Sequence, residues 1–139
     1  MSKNKTKIKR KEKRTSAPDP LISIVIPTFN ESQDINLCLW SIARQTIRDQ
    51  VEVIIVDDDS VDNTLENVMA WRQELNIKII RNGTHDAERG KRIGLTHATG
   101  QFFTYCDADM SYRDSNYLET AVKPLLEIVG ISKIGRAHV

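Results

Sequence analysis

The amino-acid sequence predicts an α/β fold with a mostly parallel sheet in the strand order 3-2-1-4. Apolar, β-branched runs alternate with segments of helical spacing, as is typical of parallel strands joined by right-handed helical crossovers. Acidic side chains follow several of these apolar runs. The strands are predicted at residues 21–27, 51–56, 77–80 and 101–106, and the helices at 33–46, 62–74, 87–98 and about 115–129.

The strands are predicted from continuous apolar runs, which indicate strands buried on both faces of a sheet. LISIVIP ends at Pro27, and VEVIIV leads directly into three aspartates. IKII is interrupted by Asn82 and Gly83, and QFFTYC follows Gly100, which ends the preceding helix.

The helices are predicted from apolar residues three, four and seven positions apart. The residues expected to face the core are Ile35, Leu39, Ile42 and Ala43 in the first helix and Leu65, Val68 and Met69 in the second. Pro124 lies inside the last helix and predicts a kink or an early end there.

The charge is distributed unevenly along the chain. Residues 1–14 carry eight Lys or Arg and one Glu, whereas the whole chain has a net charge of +1. We expect residues 1–20 to form a basic, disordered tail that is solvated or contacts anionic lipid or nucleic acid. No apolar run comes close to the length of about 18 residues that a membrane span needs. The basic start is not followed by an apolar stretch, so it is not a secretory signal.

The two cysteines are too few for a disulfide framework or a zinc site of their own. Cys106 is expected to be a small core residue. These features predict a reduced, cytoplasmic protein, with contact to the cytoplasmic face of a membrane as one option.

Residues 133–139, Lys-Ile-Gly-Arg-Ala-His-Val, break the preceding helical pattern. They match the translation of a widely used sequencing adapter, and a natural basic tail is the alternative. We therefore expect a non-native tail here and a fragment of a longer protein up to residue 132.

Polar side chains are concentrated where strands one, two and four end. Strand one leads into residues 27–31, strand two into Asp57, Asp58 and Asp59, and strand four into Asp107 and Asp109. Ligands of open α/β sheets bind at such ends, and five crowded aspartates favour a divalent cation. The alternative to cation binding for residues 57–59 is that they form a turn and cap the following helix.

Three segments together resemble a known family. SIVIPTFNE (23–31), VEVIIVDDDSVDNT (51–64) and HATGQFFTYCDADM (97–110) are similar to the nucleotide-sugar half of family 2 glycosyltransferases. The resemblance covers about residues 21–129. It implies a Rossmann-like GT-A fold, a three-layer sandwich that would be incomplete at the C-terminus, with residues 21–132 as its nucleotide-sugar-binding part.

The resemblance also implies roles for individual residues. Positions that contact the nucleotide sugar are matched by Pro27, Phe29, Glu31, Val56, Asp58, Lys91, Asp107, Ala108 and Asp109. Mg²⁺ or Mn²⁺ would be held by Asp107 and Asp109 together with the diphosphate. The alternative to a binding role for Phe29 is a place in the core. The alternative for Lys91 is a place on a solvated basic face of its helix. The general base is expected downstream of this chain, so no residue here is assigned as catalytic.

Several residues depart from the family pattern or have ordinary interpretations. Asp59 stands where glycine is usual, so this turn would need Asp at positive φ or another backbone solution. Arg92 replaces an asparagine. His85 and His97 have no partners at metal-ligand spacing, and both are expected at the surface.

The sequence thus predicts a donor-binding module for inverting glycosyl transfer that is inactive alone. The donor would be UDP- or GDP-linked, and the acceptor a polysaccharide, lipid or protein. The alternative is a non-catalytic nucleotide- or nucleic-acid-binding module. A receiver domain is disfavoured because it has acidic residues after its first and third strands, whereas here they follow strands two and four. A dehydrogenase is disfavoured because strand one is not followed by a glycine-rich loop.

Overall fold

The computed structural model describes residues 18–130. The expectations for most of the basic tail and for residues 133–139 lie outside the described residues. The strands are β1 (Ile22–Thr28), β2 (Val51–Asp57), β3 (Asn76–Arg81) and β4 (Phe102–Tyr105), and the helices are α1 (Ile35–Ala43), α2 (Thr64–Ala70), α3 (Ala87–Thr96) and α4 (Tyr117–Ile128). Short 3₁₀ turns lie at Arg48–Gln50 and Trp71–Gln73.

The four strands form one parallel sheet in the order β3-β2-β1-β4, which confirms the predicted order. The central strands β1 and β2 are buried along their length except at Pro27, which is half-buried. The edge strand β4 is exposed at every second residue, because it has one strand neighbour and is covered less completely.

Helices cover both faces of the sheet, which gives the predicted three layers. The apolar core on one face joins β1 and β2 to α1, α2 and α4. On the other face, Val25, Ile54 and Val56 pack with Ile93 of α3. Alternate residues of β1 and β2 enter opposite cores because successive side chains of a strand point to opposite faces.

Most predicted core positions of the helices are confirmed, but the inward assignment of Met69 is wrong. Met69 is 48% exposed, whereas its neighbour Val68 is fully buried. A rotation of about 100° per residue turns Met69 away from the sheet once Val68 faces it. Pro124 does not end α4, which continues to Ile128. Its ring lies on the exposed side of the helix.

Within residues 18–130, no helix combines the length and the apolar character needed to cross a membrane.

A buried carboxylate joins the strands at their amino ends. The side chain of Glu52 accepts hydrogen bonds from Ser23 Oγ at 2.5 Å and from the N–H and hydroxyl of Thr99 at 2.6 and 3.0 Å. Lys78 Nζ lies 3.2 Å from its other oxygen. Burial alone would raise the pKa of Glu52, but these donors outweigh it and hold the pKa below the ordinary value.

Replacement of Glu52 by Ala is expected to lower the free energy of unfolding at neutral pH by about 2–3 kcal/mol, since it leaves the buried Ser23 hydroxyl unpaired and removes the acceptor of Thr99 and Lys78. The folded-state pKa is lowered, so the stabilisation is present above the ordinary value of 4.5 and is lost as the pH falls through the folded value. Urea unfolding at neutral and acidic pH measures both effects. The exposed Glu127→Ala is the control, and equal stability of the two variants would contradict the assignment.

Helix α3 lies so close to the sheet at Gly94 that no side chain fits there. A Cβ at this position would overlap Cγ1 of Val25 and lie 3.0 Å from Cγ2 of Val56. At Gly90, one turn earlier, the nearest atom would be Cγ1 of Val56 at an ordinary 3.6 Å. The two glycines of one helix therefore differ in the space that surrounds them.

We expect Gly94→Ala to lower the free energy of unfolding by about 1–3 kcal/mol, because the added methyl forces helix and sheet apart. Gly90→Ala is the matched control and is expected to be neutral or stabilising by up to about 1 kcal/mol, since alanine favours helix. Chemical denaturation of both variants tests the difference. A Gly94→Ala protein as stable as the control would show that the helix shifts freely.

Candidate functional site

A cavity of about 350 Å³ lies at the carboxyl ends of β1 and β2, beside the start of α3. The predicted residues that line it are Pro27, Phe29, Glu31, Val56 and Asp58. These residues come from two chain segments that the parallel pairing of β1 with β2 brings to one edge of the sheet. The structure therefore brings together five of the nine predicted contact residues.

Phe29 and His85 form part of the cavity wall. Phe29 is 49% exposed, so it is a surface side chain and not a core residue. The His85 ring meets it edge-on, with the ring centroids 6.2 Å apart. His85 is exposed as predicted, but its place in the cavity was not predicted from the sequence. The signal available was its position in the loop after β3, close to Asn82 and Gly83.

The three consecutive aspartates after β2 have different surroundings. Asp57 is fully buried and accepts hydrogen bonds from Thr28 Oγ1 at 2.7 Å and from the hydroxyl and N–H of Ser60 at 2.7 and 2.9 Å. Asp58 lines the cavity, and its carboxylate accepts a hydrogen bond from the backbone N–H of His85 at 2.8 Å. Only Asp58 of the three lines the cavity.

Asp59 is not part of the cavity lining. Its φ is 61°, so the turn adopts the first of the two expected solutions, an aspartate at positive φ where glycine is usual. Its carboxylate lies 3.9 Å from Arg81. The expectation that five aspartates crowd one crevice is therefore wrong, because Asp57 joins β1 to the following turn and Asp59 faces a neighbouring loop. Turn formation, the alternative interpretation, describes Asp57.

The acidic pair after β4 is positioned by the residue between its members. Ala108 is buried in the core, whereas Asp107 and Asp109 are exposed on either side of it. The Met110 N–H donates to the Asp107 carbonyl at 3.0 Å and closes a turn around the pair. Neither carboxylate lines the cavity itself.

Glu31 connects the cavity with the acidic pair. Its burial raises its pKa above the ordinary value, and the negative charges of Asp109, Asp34, Asp62 and Asp107 raise it further. Glu31 also lines the cavity, and the parallel pairing of β1 with β4 brings the acidic pair to the same edge of the sheet. The cavity and the acidic pair are thus neighbouring parts of one polar edge.

The acidic pair provides oxygen ligands suited to a divalent cation. Among residues 18–130, no group of three or more His, Cys, Asp and Glu side chains is arranged to hold a metal ion. Mg²⁺ sites in nucleotide-dependent enzymes often use one or two carboxylates, with substrate phosphates and water as the other ligands. Asp107 and Asp109 fit that donor set as two carboxylates.

Lys91 is not one of the residues that line the cavity, although its neighbour Gly90 is. Its ammonium is 5.5 Å from the ring centroid of Tyr105 and 3.4 Å from the Glu88 carboxylate. It therefore lies between α3 and the edge strand β4, with its side chain partly exposed. Arg92 is exposed on the same helix.

Comparison with known proteins identifies relatives of this chain. The family model described as "Glycosyl transferase family 2" matches residues 23–131. The poly(ribitol-phosphate) beta-N-acetylglucosaminyltransferase TarS of Staphylococcus aureus is 36% identical over 90 residues, which are 63% of this chain and 16% of TarS. Chondroitin synthase of Pasteurella multocida is 31% identical over 116 residues, which are 82% of this chain and 12% of that protein.

Solved structures share the fold. The crystal structure of S. aureus TarS 1–349 has a TM-score of 0.71 and 30% identity over 78% of this chain and 32% of that one. TarS 1–349 has also been solved with UDP and with UDP-GlcNAc. The mannosyltransferase PcManGT from Pyrobaculum calidifontis, in complex with GDP-Man and Mn²⁺, has a TM-score of 0.69 and 30% identity over 76% of this chain and 32% of that one.

Replacement of Asp57 by Ala is expected to lower the free energy of unfolding by about 2–3 kcal/mol, because it removes the acceptor for Thr28 Oγ1 and the Ser60 N–H. Thermal or urea unfolding measures the loss. Asp49→Ala removes an aspartate whose side chain is 92% exposed and is the matched control. If both variants unfold alike, Asp57 does not hold the two strand ends together.

Proposed function

Because this chain belongs to glycosyl transferase family 2, we propose that residues 21–132 are the donor-binding part of a nucleotide-sugar-dependent glycosyltransferase of the GT-A fold. The fold itself is shared with TarS and PcManGT. The observation that carries the proposal is the cavity at the ends of β1 and β2, with an acidic pair beside it at the end of β4. Donor, metal and acceptor are proposals for this chain.

The cavity suits a nucleoside in size and chemistry. Its volume of about 350 Å³ lies at the lower end of the roughly 300–1,000 Å³ of small-molecule sites. Phe29 offers an exposed aromatic ring against which a base can stack. The Asp58 carboxylate can accept a hydrogen bond from a base N–H or a ribose hydroxyl, and Pro27 and Val56 supply apolar surface.

The acidic pair suits the diphosphate end of the donor. We propose that Asp107 and Asp109 hold Mg²⁺ or Mn²⁺ together with the diphosphate oxygens. When bound, the cation would neutralise charge that develops on the diphosphate as it leaves. Ala108 keeps the two carboxylates at the surface because its own side chain is buried. Lys91 would add positive charge on the α3 side.

The ligands of the relatives support a nucleotide-sugar donor and include both uridine and guanosine nucleotides. TarS has been solved with UDP-GlcNAc and PcManGT with GDP-Man and Mn²⁺. By extension we propose a UDP- or GDP-linked sugar for this chain and inversion at the transferred carbon. The acceptor hydroxyl would be deprotonated by a carboxylate outside residues 18–130. This chain matches less than half the length of the relatives named above.

We expect Asp109→Ala to remove the Mn²⁺-dependent part of UDP or GDP binding, with a loss of affinity of at least about tenfold, because one of the two proposed ligands is gone. Calorimetric titration of the 139-residue chain with each nucleotide, with and without Mn²⁺, measures this effect.

Asp49→Ala has the same change of charge on a distant exposed turn and is expected to bind like the original protein. Unchanged Mn²⁺-dependent affinity in Asp109→Ala would refute the metal assignment. Absence of any nucleotide binding in the original chain would refute the proposed donor site. Binding of nucleic acid that weakens steeply with salt would then favour the alternative class.

A further inference from the structure

The two cysteines of the chain lie next to each other in the fold. Cys38 is on α1, and Cys106 is the first residue after β4. Their Sγ atoms are 3.7 Å apart although 68 positions separate them in the sequence. Both side chains are almost completely buried, with 1% and 2% of their surface exposed. The sulfur atoms are thus in van der Waals contact without a bond between them.

The thiol pair lies directly beneath the turn that carries the acidic pair. The Sγ atoms of Cys106 and Cys38 are 3.5 and 3.9 Å from the carbonyl oxygen of Asp107. The same oxygen accepts the Met110 N–H that closes the turn. The Asp107 carbonyl is therefore in contact with both thiols, whose two hydrogens are shared between this oxygen and the contact between the sulfurs.

We propose that Cys38 and Cys106 form a modification site, at which a small hydroperoxide converts them to a disulfide that displaces the acidic turn and weakens nucleotide-sugar binding. The formation of the disulfide stands on the geometry of the thiols. The effect on binding rests on the proposed function of Asp107 and Asp109.

The reaction balances with hydrogen peroxide as the oxidant. One thiol sulfur attacks a peroxide oxygen, the O–O bond breaks, and a sulfenic acid and one water form. The second sulfur then attacks the sulfenic sulfur, the S–O bond breaks, and the disulfide and a second water form. Two thiols and one hydrogen peroxide thus give one disulfide and two waters. A small oxidant is required because both sulfurs are buried.

Formation of the bond must change the structure around the acidic turn. The sulfur–sulfur distance has to shorten from 3.7 Å to about 2.0 Å. Oxidation also removes both S–H groups, so no thiol can donate to the Asp107 carbonyl, which keeps the Met110 N–H. Because α1 is packed firmly in the core, the exposed turn after Cys106 is the part that yields.

Peptide mapping tests the disulfide in the 139-residue chain. After treatment of the folded protein with hydrogen peroxide and alkylation of free thiols, trypsin releases residues 15–44 with Cys38 and residues 93–113 with Cys106. We expect a linked peptide pair lighter than the sum of its parts by two hydrogens. Recovery of both peptides in the alkylated, unlinked form would overturn the proposal.

Nucleotide titration tests the consequence. The oxidised protein is expected to bind UDP or GDP with Mn²⁺ at least about tenfold more weakly than the reduced protein. Dithiothreitol is expected to restore the affinity. If the disulfide forms and the affinity is unchanged, the link to the acidic turn is wrong.

Cys38→Ser is the control for other oxidation. Peroxide also oxidises methionines such as the exposed Met110, and dithiothreitol does not reverse that change. The variant cannot form the disulfide, and dimedone shows whether Cys106 carries a sulfenic acid instead; without that adduct, the affinity should not show a loss that dithiothreitol reverses. If the reduced protein binds no nucleotide, the proposed function is contradicted. Peptide mapping would still show whether the disulfide forms.

Discussion

The parallel pairing of β1 with β2 and β4 is the constraint on which the site depends. Parallel strands end at the same edge of a sheet, so the segments that follow them meet there. The pairing of Thr28 with Asp57 brings the cavity residues of two segments together. Pairing of Val25 with Tyr105 brings the acidic turn to the same edge. A change of register would separate the cavity from the carboxylates.

Two buried carboxylates fix that register from opposite ends of β2. At the amino end, Glu52 accepts from β1 and from the segment before β4. At the carboxyl end, Asp57 accepts from Thr28 of β1 and from the next turn. A one-residue slip would leave each carboxylate buried without its donors, which is far more costly than a loss of apolar contact alone. The apolar middle of the strands supplies the burial, and the carboxylates specify the alignment.

The candidate site combines residues of the central strands with residues that follow an edge strand. Its floor, Pro27 and Val56, belongs to the central strands, and Gly94 lets α3 approach them closely. The acidic pair instead follows an edge strand of four residues and is held by the buried Ala108 and the carbonyl of Asp107. The proposed nucleoside part therefore rests on the central strands, whereas the proposed metal-binding part depends on a few local contacts. Modification of the adjacent thiols would act on the weaker part.

The sequence determined the fold class and the strand order, and it predicts the place of the candidate site. Largely apolar runs such as 51–56 are typical of strands covered on both faces, and polar residues after them indicate the candidate ligand-binding edge. Helical spacing identified the buried face of α1, but the inward assignment of Met69 was wrong because a short helix has little periodicity from which to read its orientation.

Only the tertiary structure decided that Asp57 joins β1 to the following turn, that Glu52 is buried among donors, that His85 adjoins Phe29, and that Cys38 meets Cys106. These relations join residues far apart in the chain, 68 positions for the cysteines. Local patterns record periodicity and turn chemistry along one segment. The neighbours that a side chain acquires from other segments follow from register and helix packing, which no single segment encodes.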